Sequence, residues 1–145
     1  MAPLTAQDAH HSLMSDYITP GLRERGYTGA GNFRRRLPKG WHLLTFQGTH
    51  STTGTITLAV DVAAITDTAW AERQVWYAEH TPAVKVPERP TATWVDSERL
   101  GILRMGLDNL YEYGASQDMA AMGARILGDI DKYAVPYMEK KVKSA

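Results

Sequence analysis

The stretch Ile56-Thr57-Leu58-Ala59-Val60-Asp61-Val62 limits what this chain can fold into more than any other. Its large apolar residues recur at every second position, and those between them are small or polar. A period of two puts Ile56, Leu58, Val60 and Val62 on one side of an extended strand and Thr57, Ala59 and Asp61 on the other. Such a strand needs neighbours, and an apolar layer against one face only. Phe33, Arg35 and Leu37 alternate with Arg34 and Arg36 just upstream, and Leu37-Pro38-Lys39-Gly40 has the residues of a turn. Trp41–Gln47 then supplies a partner strand. Short connections between consecutive strands predict an antiparallel meander.

Helical spacing flanks this block on both sides. From Gln7 to Arg25 the apolar positions are Ala9, Leu13, Tyr17, Ile18 and Leu22. Pro20 predicts a kink or a restart there, and Gly26 a left-handed cap. Asp67–Ala78 is helix-compatible, with Asp67 or Thr68 as cap, Trp70 and Tyr77 aligned and Trp76 pointing elsewhere. Pro82, Pro87 and Pro90 predict an extended connector, and Thr91–Val95 a fourth strand. After Ser116, the expected cap, Met119, Met122, Ile126, Ile130, Tyr133 and Tyr137 step by three or four. That predicts a long amphipathic helix which Pro136 should kink or end. The fold class is therefore α+β: an antiparallel meander of three to five strands with the N-terminal and C-terminal helices packed on one face. It forms one domain over 1–145, with the basic tail 140–145 frayed.

Composition removes several classes of function. Sixteen basic and sixteen acidic residues cancel, so no global charge attracts a polyanion, and nucleic acid is not the expected partner. No run approaches 18 apolar residues, so no membrane span is expected. Met1 to Asp8 lacks a basic start and an apolar core of a signal peptide. With no cysteine, disulfides, thiol catalysis and Cys-ligated zinc are excluded, and a cytoplasmic protein is expected.

Several short patterns resemble a family of bacterial domains catalogued as domain of unknown function four-three-zero-four. They are Leu22-Arg23-Glu24-Arg25-Gly26-Tyr27, Asn32-Phe33-Arg34-Arg35, Phe46-Gln47, Ile56-Thr57-Leu58-Ala59-Val60, and Glu98-Arg99-Leu100-Gly101 followed by Asp108. The similarity spans most of Asp16 to Tyr137. Two positions depart from it: Ala59 stands where the family tends to have Asn, and Leu110-Tyr111 where it tends to have a Trp pair. The resemblance implies a fold and no activity, because the family has none assigned.

The residues themselves offer little catalytic chemistry. Gly29-Ala30-Gly31 lacks both the third glycine, Arg34 standing there, and the helix that a phosphate cradle requires. Adjacent His10 and His11 diverge by about 100° on a helix, and His42 and His50 have no third ligand nearby, so no metal and no cofactor are expected. Asp96 and Glu98 share a face of an extended backbone, but Arg99 beside them points to an ion pair. Charge is polarised along the chain. Residues 23–39 carry six cations against Glu24, whereas residues 61–131 carry twelve acids against six bases. Strand alternation should split Arg34, Arg35 and Arg36 between two faces, where intramolecular acids can meet them. Arginines interleaved with Tyr27, Phe33 and Trp41 would otherwise suit stacked bases.

These features point to a non-catalytic binding module, with another protein as partner and an immunity-like or accessory role. The expected binding residues are Gln47, Thr57, Asp61, Trp94, Arg99 and Asp108. Arg99 should pair with Asp108, and the face bearing Thr57, Ala59 and Asp61 should form a shallow floor. The alternative is an enzyme acting on nucleic acid or a small polar substrate, with Glu98, Arg99 and Asp108 in its cleft.

Overall fold

The computed structural model describes residues 5–50, 54–107, 110–115 and 117–145. A helical arm opens the chain: α1 (Ala6–Ser12), a wide π-turn (Leu13–Ile18) and α2 (Thr19–Glu24). Four strands follow as a meander, β1 (Thr28–Ala30), β2 (Asn32–Leu37), β3 (Gly40–His50) and β4 (Thr55–Thr66), each antiparallel to the last. Next come α3 (Asp67–His80), β5 (Glu98–Arg99), α4 (Leu100–Met105) and β6 (Tyr111–Gly114). Both late strands add to the outer edge of β4, β6 beside Thr55–Leu58 and β5 beside Asp61–Val62. A second helical arm closes the domain: α5 (Met119–Asp129), another π-turn (Ile130–Ala134) and α6 (Val135–Lys141).

The period of two in β4 has the expected consequence. Ile56, Leu58, Val60 and Val62 are at most 2% exposed and share one apolar cluster with Leu13, Ile18 and Leu22 of the first arm and Met122, Ile126 and Ile130 of the second. The N- and C-terminal helices thus lie on one face of the sheet. Where the two arms cross, Gly123 is required by space. A Cβ there would stand 2.7 Å from the Cβ of Tyr17, an atom that cannot swing aside.

Four details differ from expectation. Thr91–Val95 is not a strand: Ala92–Trp94 forms a single 3-10 turn, and the strand beside β4 comes later, at Glu98–Arg99. Asp118 caps α5 by accepting from the Ala121 N–H at 3.2 Å, and Ser116 lies outside the described residues. The sheet also includes β1, a three-residue glycine-containing strand without an apolar signal. Finally, Pro20 and Pro136 are each absorbed by a wide turn. The Thr19 N–H donates to Met14 O and the Val135 N–H to Ile130 O, each five residues back. A ring at Pro20 or Pro136 cannot donate and would strike the carbonyl four residues back in a regular helix. One extra residue in the turn relieves that conflict and the chain stays helical. Past the second turn the buried positions become Ala134, Met138 and Val142, and Tyr133 and Tyr137 are only half-buried.

Candidate functional site

The second face of the sheet is divided. Toward the β3 start, Leu43, Ala63 and Ile65 are buried under Trp70 of α3 and Ala92 and Val95 of the connector. Hydrogen bonds tie that cover down: Trp70 Nε1 donates to Glu88 O at 2.9 Å, and Arg34 Nε donates to Pro90 O at 2.7 Å. Thr66 caps α3 by accepting from the Ala69 N–H at 3.1 Å. The expectation of a wholly open second face is therefore corrected, because the proline-rich connector folds back over half of it.

The other half is polar: Asn32, Gln47 and Thr49 are exposed on it, and Thr45, Ala59 and Asp61 are buried between them. Antiparallel register places Thr45 opposite Asp61, Gln47 opposite Ala59 and Thr49 opposite Thr57. Neighbouring strands extend these rows, Asn32 beside Thr45, Arg99 beside Asp61 and Glu112 beside Thr57. Asp61 is the organiser. Its side chain is 12% exposed, and its Oδ1 accepts from Arg99 Nε at 2.7 Å. Its Oδ2 accepts from Gln47 Nε2 at 3.3 Å. Thr45, also buried, donates from Oγ1 to Asn32 Oδ1 at 2.7 Å. A buried carboxylate demands partners of this kind, because desolvation of an unpaired one is costly. With both oxygens accepting, Asp61 fixes Gln47 and Arg99 in place, and Asn32 and Gln47 keep amide capacity facing solvent. The result is a preset array of neutral donors and acceptors framed by Arg99 and Glu112.

Four of the six residues expected from sequence meet here: Gln47, Thr57, Asp61 and Arg99. Trp94 does not. It sits in the 3-10 turn, edge-on to Tyr77 at 5.2 Å between ring centroids, with the Tyr77 hydroxyl donating to its carbonyl at 3.1 Å. Asp108 lies outside the described residues, and among the described residues Arg99 meets Asp61. Asp96 and Glu98 also part company. Asp96 meets Arg73 of α3 at 3.3 Å, whereas Glu98 Oε1 accepts from the Arg99 N–H at 3.0 Å. Sequence reasoning missed Asn32 and Thr45, though continuing the Trp41, Leu43, Thr45, Gln47 alternation of β3 would have found Thr45.

The arginine run separates as alternation requires. Arg36 holds Asp67 through two bonds of 2.6 and 2.9 Å and covers Trp41 at 4.6 Å, while Arg34 serves the connector. That ion pair holds the Asp67 carboxyl below its ordinary range. Beyond the sheet, α3 exposes Val75 and Trp76, the latter stacked on His80 at 4.4 Å. Trp76 also borders a recess of 440 Å³ with Ile65, Ala69, Glu72 and Arg73.

Among the described residues no three His, Cys, Asp or Glu side chains gather into a metal site. No helix among them is long and apolar enough to cross a membrane. No family model matches the chain, and neither a curated protein nor a solved structure does.

Proposed function

We propose that this chain is a non-catalytic binding module, of an accessory or immunity-like kind, that engages another protein through the open half of its sheet. The observation that supports this most is the Asp61-centred array, whose bonds are spent on holding Gln47 and Arg99 in place. Flat sheet faces with ordered amides and hydroxyls match another protein's polar surface at little entropic cost, because the side chains are already fixed. Electrostatics sets the orientation of approach, with Arg99 and Glu112 spaced along one edge of the array, beside Asp61 and Thr57.

The reading is tested by affinity capture from the native host with three baits. Thr57→Arg places a long cation in the open face, and Gln47→Arg does so one row away. Ala124→Arg alters an exposed position of α5 on the other side of the molecule. A partner retained by the wild type and Ala124→Arg, and weakened about tenfold or more by both open-face variants, is the expected result. Equal retention by all of the baits overturns it.

A further inference from the structure

At the other end of the sheet from the open array lies a recess of 220 Å³ lined by Pro38, Lys39, Thr66, Lys141, Val142 and Lys143, with Ala145 at its rim. We propose that this recess binds a small, multiply charged phosphate-type anion, of which pyrophosphate is the simplest member.

Charge distribution is the first support. In a chain of zero net charge, four of the six lysines cluster at this end, as Lys39, Lys140, Lys141 and Lys143. Half of the ten arginines are occupied in ion pairs: Arg25, Arg36, Arg73, Arg99 and Arg104 each hold an aspartate. Among the described residues, none of these ion pairs includes Lys39, Lys141 or Lys143. Lys141 instead rests its ammonium 4.7 Å from the Tyr137 ring centre, a contact that leaves its N–H donors to other partners.

The second support is that the recess is built from pinned segments. The Lys39 carbonyl accepts from the Asp67 N–H at 2.9 Å, which ties the β2–β3 turn to the start of α3. On the other wall, Val142 is 3% exposed and its carbonyl accepts from His42 Nε2 at 2.6 Å, while the Ser144 N–H donates to Glu139 Oε2 at 3.0 Å. Val142 is extended, at φ −142° and ψ 112°. Its neighbours Lys141 and Lys143 line the recess together with Lys39. Three lysines on pinned backbone around one recess suit an anion with several oxygens, because each carries a compact charge with three rotatable donors on a flexible stem. Size narrows the class. The volume is below the roughly 300 Å³ at which drug-sized ligands begin to fit, so the ligand is an anion without a large organic body.

The experiment is a titration of the full chain with sodium pyrophosphate, followed by amide NMR shifts and by calorimetry. Saturable shifts at Lys39, Thr66 and Val142 are expected. Affinity should fall about tenfold or more in Lys141→Gln/Lys143→Gln, and severalfold as salt rises from about 0.05 to about 0.3 M. Lys85→Gln, in the connector, should bind like the wild type, and circular dichroism should show all variants equally folded. Shifts that do not saturate, an unaffected double variant, or an equal loss in Lys85→Gln overturn the proposal. Binding to vesicles containing phosphatidic acid without binding to pyrophosphate overturns it as well, since the charge would then be reading a surface.

Discussion

His42 shows how one buried polar residue can fix a distant segment. It is fully buried in β3, and its Nε2 donates to the Val142 carbonyl across 100 residues of sequence. Among the described residues its Nδ1 has no hydrogen-bond partner. Burial pushes its pKa below the ordinary value, and Arg35 adds to that while the Val142 bond and Glu139 oppose it. A folded pKa below the unfolded one means that the unfolded chain binds a proton first. The neutral ring's contribution is therefore complete above about pH 6.5 and is lost as pH falls through the folded pKa. We expect the unfolding midpoint of the wild type to drop between about pH 6.5 and 5 more steeply than that of His42→Leu. At neutral pH the variant should be less stable by about 1–3 kcal/mol, because the Val142 carbonyl loses its donor. Parallel pH slopes for the two proteins would mean that His42 is not the group responsible.

At the scale of elements, the two π-turns explain why helical faces read from sequence drift out of phase. Buried residues of the second arm run Ile126, Ile130, Ala134, Met138, always four apart. A regular helix of 3.6 residues per turn would carry that row about 40° round at each step. Reading with the regular period selects Tyr133 and Tyr137 for the core, and the wide turn moves the stripe to the next residue along. The proline was legible; the way the chain would absorb it was not, since a kink, an end or an inserted residue all satisfy the same missing N–H. An insertion can be undone. Deleting exposed Lys132 leaves Ile126, Ile130, Ala134 and Met138 at regular spacing but drives the Pro136 ring into the carbonyl of Asp131. That deletion should cost about 3 kcal/mol, and adding Pro136→Ala should recover most of the loss. Pro136→Ala alone should change stability by under about 1 kcal/mol, because packing already sets the register. Thermal melts of the three proteins decide it, and a double variant as unstable as the deletion refutes the account.

On the scale of the whole molecule, the sheet's two faces were legible from one strand because a strand in a half-covered sheet has only one way to place a period of two. What covers the second face was not. The link is a connector with three prolines, held by Arg34 and Trp70 through backbone carbonyls that any sequence would supply. The Asp61–Arg99 pair was hidden for a similar reason: β5 is two residues long, too short to carry a period. Val60 and Asp61, adjacent in sequence, now measure the difference between the faces. Val60 is 2% exposed within the core shared by both helical arms, so Val60→Ala should cost about 1–3 kcal/mol. Asp61→Ala removes one partner of Arg99, whose side chain is already 34% exposed to water, and the cost should stay near 1 kcal/mol. For a domain of this size each kcal/mol moves the melting point by about 3 °C, so Val60→Ala should melt lower by a few degrees. Partner binding should show the opposite order, with Asp61→Ala the weaker binder, because Gln47 and Arg99 lose the group that orients them. If Asp61→Ala melts lower than Val60→Ala, the carboxylate is a structural keystone of the fold, and the open array cannot be read as surface held ready for a partner.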